Sequence, residues 1–301
     1  MNNIAMAQAV QAAVKPKFRG HKVLKSKVVT YFPENLARDY ERIAKAYMTL
    51  LNKSLAKHLP TIRRALDAER DGMRRDGNQE FNRYVRQTLL QIEQEFEKKA
   101  EIFGLERRLT NLANQSRKMS ISEWKRVVHK TLGININDDY YRGEFYRNTL
   151  RQWTANNVNL ISSIKDKTLT RMTNIVQNGY YLGKSNTAIG DEIAEAYSME
   201  RNHARFIARD QMAKLNADLT AQQQEDAGVS EYIWSTSGDV RVRDSHEALD
   251  GTRQKWSDPP VVDEKTKRRC HPGQDYNCRC VALPVFNLPG LNLPWEKGKE
   301  Q

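Results

Sequence analysis

Apolar residues recur at three- and four-residue steps through the front half of the chain. Leu36, Tyr40, Ile43, Tyr47, Leu50, Leu51 and Leu55 fall on one helical face. A second stripe, Phe81, Val85, Leu89, Ile92, Phe96, Ala100 and Phe103, is longer and stops at Gly104. Between the two, Asp71-Gly72 through Asp76-Gly77-Asn78 is a polar hinge whose glycines can end one helix and free the next. The pattern predicts an antiparallel helical hairpin. A short helix is expected from Ser122 to Gly133, with Trp124, Val127, Val128 and Leu132 facing inward. Another should run from about Gly143 to Val176, carrying Trp153, Val158, Ile161, Ile164, Leu169, Met172 and Ile175, closed by Gly179 and Gly183. Ser185 can cap a helix bearing Ile189, Ile193 and Ala194, and Ser198 a further one bearing Ala204, Ile207, Ala208 and Leu215 that ends near Gly228. Stripes of this kind are core or partner-facing surface before they are a cofactor box.

The period changes in the last third. Tyr232 to Thr236 alternates aromatic and small residues and runs into the turn signal Gly238-Asp239, as a strand entering a loop does. From Arg241 to Gly273 the chain is rich in charge, Pro and Gly, so an ordered loop or a compact β-rich module is expected. Cys278 to Leu283 reads as a returning strand. The fold class is therefore mainly α, with long amphipathic helices in the N-terminal half and a small α+β module near the C-terminus.

Charge adds a possible partner. The chain of 301 residues carries a net charge of +12, and residues 1–30 hold half of it in Lys15, Lys17, Arg19, Lys22, Lys25 and Lys27 with no acid among them. A solvated tail is the plain reading; the sharper one is non-specific contact with DNA phosphate, where each neutralised phosphate releases counterions. A second cluster, Lys265, Lys267, Arg268 and Arg269, is partly offset by Asp263 and Glu264. No apolar run approaches the roughly 18 residues that span a bilayer, and the first residues lack the features of a signal peptide. Three cysteines confined to one module argue against a secreted disulfide scaffold and for a reducing cytoplasm.

Candidate chemistry is concentrated in the same module. His246, Cys270, Cys278 and Cys280 supply four sulfur and imidazole donors suited to a structural zinc ion, with His271 as a substitute. The alternative is that Cys278 and Cys280 are small buried residues on one face of the last strand. Gly183-Lys184-Ser185 resembles a phosphate-loop ending, but the required earlier glycine is Asn178 and the lead-in is helical. His246 and Asn277 beside cysteines loosely resemble a zinc-dependent DNA endonuclease of the His-Asn-His type, although no Asp-His pair opens the motif and no second zinc knuckle is present. Asp239, Asp244 and Asp250 are expected to pair with Arg241, Arg243 and Arg253 and to cap loop amides.

The order Ala204-Arg205-Phe206-Ile207-Ala208-Arg209-Asp210, Asn216, Gly228-Val229, Tyr232, Trp234, Gly238-Asp239-Val240-Arg241-Val242-Arg243, His246, Leu249-Asp250-Gly251, Pro259-Pro260, Pro272-Gly273 and Asn277-Cys278-Arg279-Cys280 resembles the phage Mu protein F-like family of minor head, or head morphogenesis, proteins. The likeness runs from about Asn156 to Pro284. Arg209-Asp210 departs from the family's more frequent Arg-Thr. The resemblance implies a non-enzymatic minor capsid protein of a tailed phage. It would be made in the host cytoplasm, bound near the portal on the capsid interior, and active in head assembly and in DNA packaging or delivery. The implied partners are the portal protein, a major capsid or scaffolding protein and the double-stranded DNA genome, with no membrane. Four segments are expected: a basic arm over 1–32, a helical hairpin region over 33–135, the Mu F-like domain over 136–285 and a Pro-rich tail over 286–301, either a disordered end or a peptide that docks Trp295 in a partner's groove.

Overall fold

The computed structural model describes residues 3–71, 77–182 and 184–295. The expected hinge residues Gly72 to Asp76 and the helix-closing Gly183 lie outside the described residues. The elements in chain order are α1 (Asn3–Phe18), β1 (Val23–Lys25), α2 (Glu34–Asp71), α3 (Gly77–Phe103), α4 (Leu105–Leu132), α5 (Glu144–Tyr181), α6 (Asn186–Asp226), β2 (Glu231–Ser235), α7 (Asp244–Glu247), β3 (Arg253–Lys255), β4 (Val261–Asp263), β5 (Arg268–Arg269) and β6 (Val281–Asn287). No helix among the described residues is long and apolar enough to cross a membrane.

The chain divides into two compact units, one of Arg38–Asn111 and Thr154–Ala208, the other of Met1–Ala37, Leu112–Trp153 and Arg209–Gln301. The first is helical. In it α2 and α3 form the predicted antiparallel hairpin: Tyr47 packs edge-on against Phe96 at 5.2 Å and at a tilt against Phe103 at 5.9 Å, Lys99 Nζ donates to Ser54 Oγ at 3.0 Å, and His58 meets Glu95 at 3.2 Å. Each aromatic pair adds roughly 0.5–1.5 kcal/mol beyond the area it buries. The part of α5 from Thr154 onward joins them through Lys165, which reaches Glu93 at 3.4 Å, and through Asn157, which accepts from the Tyr40 hydroxyl at 2.7 Å.

Two helices are longer than the periodicity predicts. α4 begins at Leu105, directly after Gly104 breaks α3 with φ +64°, and not at Ser122. Its buried face includes Ser116 and Ser120 beside Leu105, Leu109, Leu112 and Ala113, so two polar residues interrupt the apolar stripe that sequence reasoning relies on. α6 runs unbroken through Ser198, which is exposed on its surface and starts nothing. Ser185 does cap it, its Oγ accepting from the Ala188 N–H at 3.1 Å.

The second unit is built on an antiparallel sheet of order β1-β6-β2-β3, with β4 and β5 forming a separate hairpin. Trp124 of α4 stacks on Phe286 of β6 at 6.0 Å and donates its indole N–H to Tyr141 at 2.8 Å. Gln224 of α6 donates to the Ala282 carbonyl at 2.8 Å, which fastens the helix across β6. α6 ends in a Schellman turn, with Val229 N bonded to Gln224 O and Gly228 N to Glu225 O, both at 2.9 Å, and Gly228 at φ +76°.

Both chain ends depart from the expected arm and tail. α1 buries Val10, Val14 and Phe18, and β1 pairs with β6 through Val23, Leu24 and Lys25. The segment after β6 buries Leu291 and Leu293, bonds Asn292 N to Ala227 O at 3.0 Å, and bridges Trp295 to Ile136. Alternate leucines between the prolines supply the apolar contacts that a disordered tail would lack. The two units therefore cut across the four-segment division, and both the 1–32 and the 286–295 stretches belong to the sheet-bearing unit.

Candidate metal centre

β2 ends in a loop whose residues are each held by a specific bond. Gly251, at φ +73°, donates its N–H to Trp234 O at 2.8 Å, and Asp250 Oδ1 accepts from Thr236 N at 2.7 Å, closing the loop back onto β2. Asp239 accepts from Arg241 N at 3.0 Å and is ion-paired with the side chains of Arg279 and Arg241. The expected pairing of Asp239 with Arg241 is thus present; Arg253 pairs instead with Glu231. Asn277 adopts φ +50°, and its N–H reaches Asp210 Oδ1 at 3.0 Å. Asp210 therefore anchors the turn before Cys278.

This loop work places His246, the third residue of α7, against the segment leading into β6. The imidazole is 2 % exposed and is wedged between a carboxylate and two sulfurs. Its Nε2 lies 3.1 Å from Asp275 Oδ2, and its Nδ1 lies 3.5 Å from both Cys278 Sγ and Cys280 Sγ. The Trp234 ring meets it edge-on at 5.4 Å. His246, Cys278 and Cys280 are all buried, with their donor atoms within 4.8 Å of one another. The cysteines lie just before β6 rather than on it, in a core with Tyr232, Trp234, Trp256, Val262 and Ala282.

The other two candidate ligands lie outside that cluster. Cys270 packs against the same core, and burial first, with Asp275 and Cys278 adding, pushes its thiol up to about 12. His271 points its Nδ1 to the Tyr232 hydroxyl at 2.8 Å. Asp275, which sequence reasoning missed, is the hub: besides His246 it pairs with Arg268 at 3.1 Å and Arg243 at 3.6 Å, and it is 3 % exposed. A lone Asp in a polar stretch gives no sequence signal for this role.

Electrostatics in the cluster favour charge separation. Burial disfavours a charged His246, but the hydrogen bond and charge of Cys278, with Asp275 behind, outweigh it and raise the imidazole's pKa. Hydrogen bonding from the Cys280 thiol, then from His246 and the Cys280 and Gly273 amides, outweighs burial and lowers that of Cys278.

The basic clusters differ in their surroundings. Lys15, Lys17, Arg19, Lys22, Lys25 and Lys27 are all exposed, and no ion pair joins them to a carboxylate among the described residues. Lys25 lies on the edge strand β1, where charge also discourages pairing with another chain. In the second cluster Lys267 pairs with Glu264, Arg268 with Asp275 and Asp263, and Arg269 with Asp258, while Lys265 is exposed.

The Asp239 pair makes a pH prediction. The hydrogen bond from Arg279, with the Arg241 amide and both guanidinium charges, lowers Asp239 from the usual 3.8 to about 2. A depressed carboxylate stabilises the fold fully above 3.8, and the contribution drains away as pH falls toward about 2. Unfolding curves of the Asp239→Asn variant should therefore lie below wild type at neutral pH and converge with it in that acid window. Parallel curves throughout would contradict the pairing.

Residues 170–283 match the family described as Phage Mu protein F like protein. An uncharacterized protein of Haemophilus influenzae (strain ATCC 51907 / DSM 11121 / KW20 / Rd) is 29 % identical over 226 residues, covering 75 % of this chain. The chain spans 49 % of that relative's length. No solved structure matches. Trp234, Asp239, Arg241, His246, Asp250 and Gly251 thus lie within the matched span, as does Asn277 with its flanking cysteines, and it is over residues 170–283 that the chain is similar to the phage Mu protein F-like family.

Proposed function

We propose that the chain acts as a minor head protein, held near the portal on the interior of the capsid and assisting head assembly and DNA packaging or delivery. The observation that carries this reading is the family match over 170–283, in a segment whose motif residues are engaged in building the loops around β2 and β6. A structural role accords with those bonds: Asp239, Asp250, Gly251 and Asn277 fix backbone. His246 is enclosed by sulfur and carboxylate, whereas a general base has to reach a substrate. The same enclosure weighs against the endonuclease alternative, since the Asn277 amide bond is spent on Asp210 and its side-chain oxygen is buried.

In this reading the α2–α3 hairpin docks on portal or capsid protein, and the exposed cations from Lys15 to Lys27 meet DNA. The second basic cluster contributes less, because three of its four side chains already face carboxylates. Binding of the purified chain to duplex DNA, followed by fluorescence anisotropy across a salt series, tests the DNA part. The variant with Lys15, Lys17, Lys22 and Lys25 each replaced by Gln should bind more weakly. Its log–log salt slope should shrink by about 0.9 for every phosphate that is no longer neutralised. An unchanged slope would remove the N-terminal cations from the interface.

A further inference from the structure

We infer that His246 Nδ1, Cys278 Sγ and Cys280 Sγ hold one zinc ion, oriented by Asp275 and completed by a water molecule. The first argument is spacing. Zinc bonds of about 2.3 Å to sulfur and about 2.1 Å to nitrogen, set at the tetrahedral angle, place sulfur and nitrogen roughly 3.6 Å apart. Both sulfurs lie 3.5 Å from His246 Nδ1, so the imidazole and each thiol already sit at the edges of such a tetrahedron.

The second argument is orientation. A zinc-bound histidine needs a bare nitrogen toward the metal and a donor N–H on the other side, commonly held by a carboxylate. Asp275 Oδ2, 3.1 Å from Nε2, accepts that N–H and so directs the Nδ1 lone pair between the two sulfurs. Asp275 is in turn fixed by Arg268 and by the Tyr276 amide at 2.9 Å.

The third argument concerns two buried N–H groups in the core that holds the sulfurs. The Trp234 indole N–H is buried without a hydrogen-bond partner among the described residues, in the same core as Cys278 and Cys280. The Cys280 amide faces Cys278 Sγ at 3.4 Å. A neutral thiol is a weak acceptor, whereas a metal-bound thiolate accepts such bonds well. Two thiolates with an imidazole select zinc over magnesium or calcium, which take oxygen ligands.

The fourth vertex is assigned to water. Cys270 lies outside the cluster, while a recess of about 20 Å³ lined by Cys278, Cys280, Gly273 and Ala217 has room for one molecule. The ion would tie α7 to the segment entering β6, joining two stretches about thirty residues apart in sequence. Because no such site exists in the unfolded chain, its binding free energy adds to the stability of the sheet-bearing unit.

The test is elemental analysis of the intact chain, purified without chelator. About one zinc per chain is expected, falling below about a tenth in His246→Ala and in Cys278→Ser, and unchanged in Cys270→Ser. Misfolded variants would also lose metal, so cobalt(II) titration of the wild-type chain is run beside them. It should give thiolate-to-cobalt absorption in the near ultraviolet and visible bands of tetrahedral intensity, saturating at one equivalent. Absence of zinc together with no cobalt spectrum would overturn the site, as would full zinc retention in both His246→Ala and Cys278→Ser. Loss of zinc from folded Cys270→Ser would overturn the three-residue assignment. Rapid alkylation of Cys278 in the metal-free native chain, without cobalt binding, would replace the site by a reactive thiolate.

Discussion

Replacing Gly228 with alanine should destabilise the sheet-bearing unit by roughly 3–5 kcal/mol, combining the strain of a side chain at positive φ with steric overlap. Gly228 sits at φ +76° where α6 ends, and a Cβ there would lie 1.9 Å from the carbonyl oxygen of Gly290. That neighbour is backbone, so no side chain can rotate away to make room. The Schellman turn and the bond from Asn292 N to Ala227 O are made at the same place. The variant should therefore lose its grip on the C-terminal segment first. Limited proteolysis is expected to cut between Asn287 and Leu293 in the variant at protease concentrations that leave wild type intact, and chemical unfolding should show the stability loss. Wild-type resistance with a loss under about 1 kcal/mol would mean that the segment does not pack against the end of α6.

Trp234→Ala should cost about 3–5 kcal/mol, the range for removing a large buried aromatic side chain. Trp234 is fully buried in β2 and meets the His246 ring edge-on. Its loss opens a cavity in the core shared with Tyr232, Trp256, Cys278 and Cys280. Urea unfolding should show the midpoint drop while helical circular dichroism persists, because the helical unit of residues 38–111 and 154–208 has its own core. A change below about 1 kcal/mol would place Trp234 outside the stabilising centre of the unit.

The helices were legible in the sequence because aliphatic and aromatic side chains repeat at helical spacing. Tyr47 and Phe96 were identifiable as facing stripes, and they meet. Where the buried face carries Ser116 and Ser120, as in α4, the repeat is invisible and the predicted helix start falls too late. Ser198 shows the opposite error: a residue type that favours caps sits on an exposed face within α6. β1 is three residues long among lysines, too short for alternation to show, and only its pairing with β6 reveals it. At the candidate metal centre, His246 and the two cysteines of Asn-Cys-Arg-Cys were readable as ligand types, and they converge. Cys270 was readable on the same ground and lies outside the cluster. Asp275 was not readable at all, because its importance comes from His246, Arg243 and Arg268 closing around it in space.

The basic N-terminus teaches a related point about charge. The six cations read in the sequence as an arm, yet Val10, Val14, Phe18 and the β1 ladder fix that stretch within the sheet-bearing unit. Exposed cations carried on folded elements keep their order when they meet a polyanion, so they lose less conformational freedom than a flexible arm would.

Mass spectrometry of purified particles from the phage or prophage that encodes this chain tests the central reading most directly, comparing filled heads with heads that have released their DNA. A minor head protein predicts the chain in filled particles at a few copies against hundreds of major capsid subunits, protected from external protease until the head is opened. Absence of the chain from filled particles and from their assembly intermediates would contradict the proposed function.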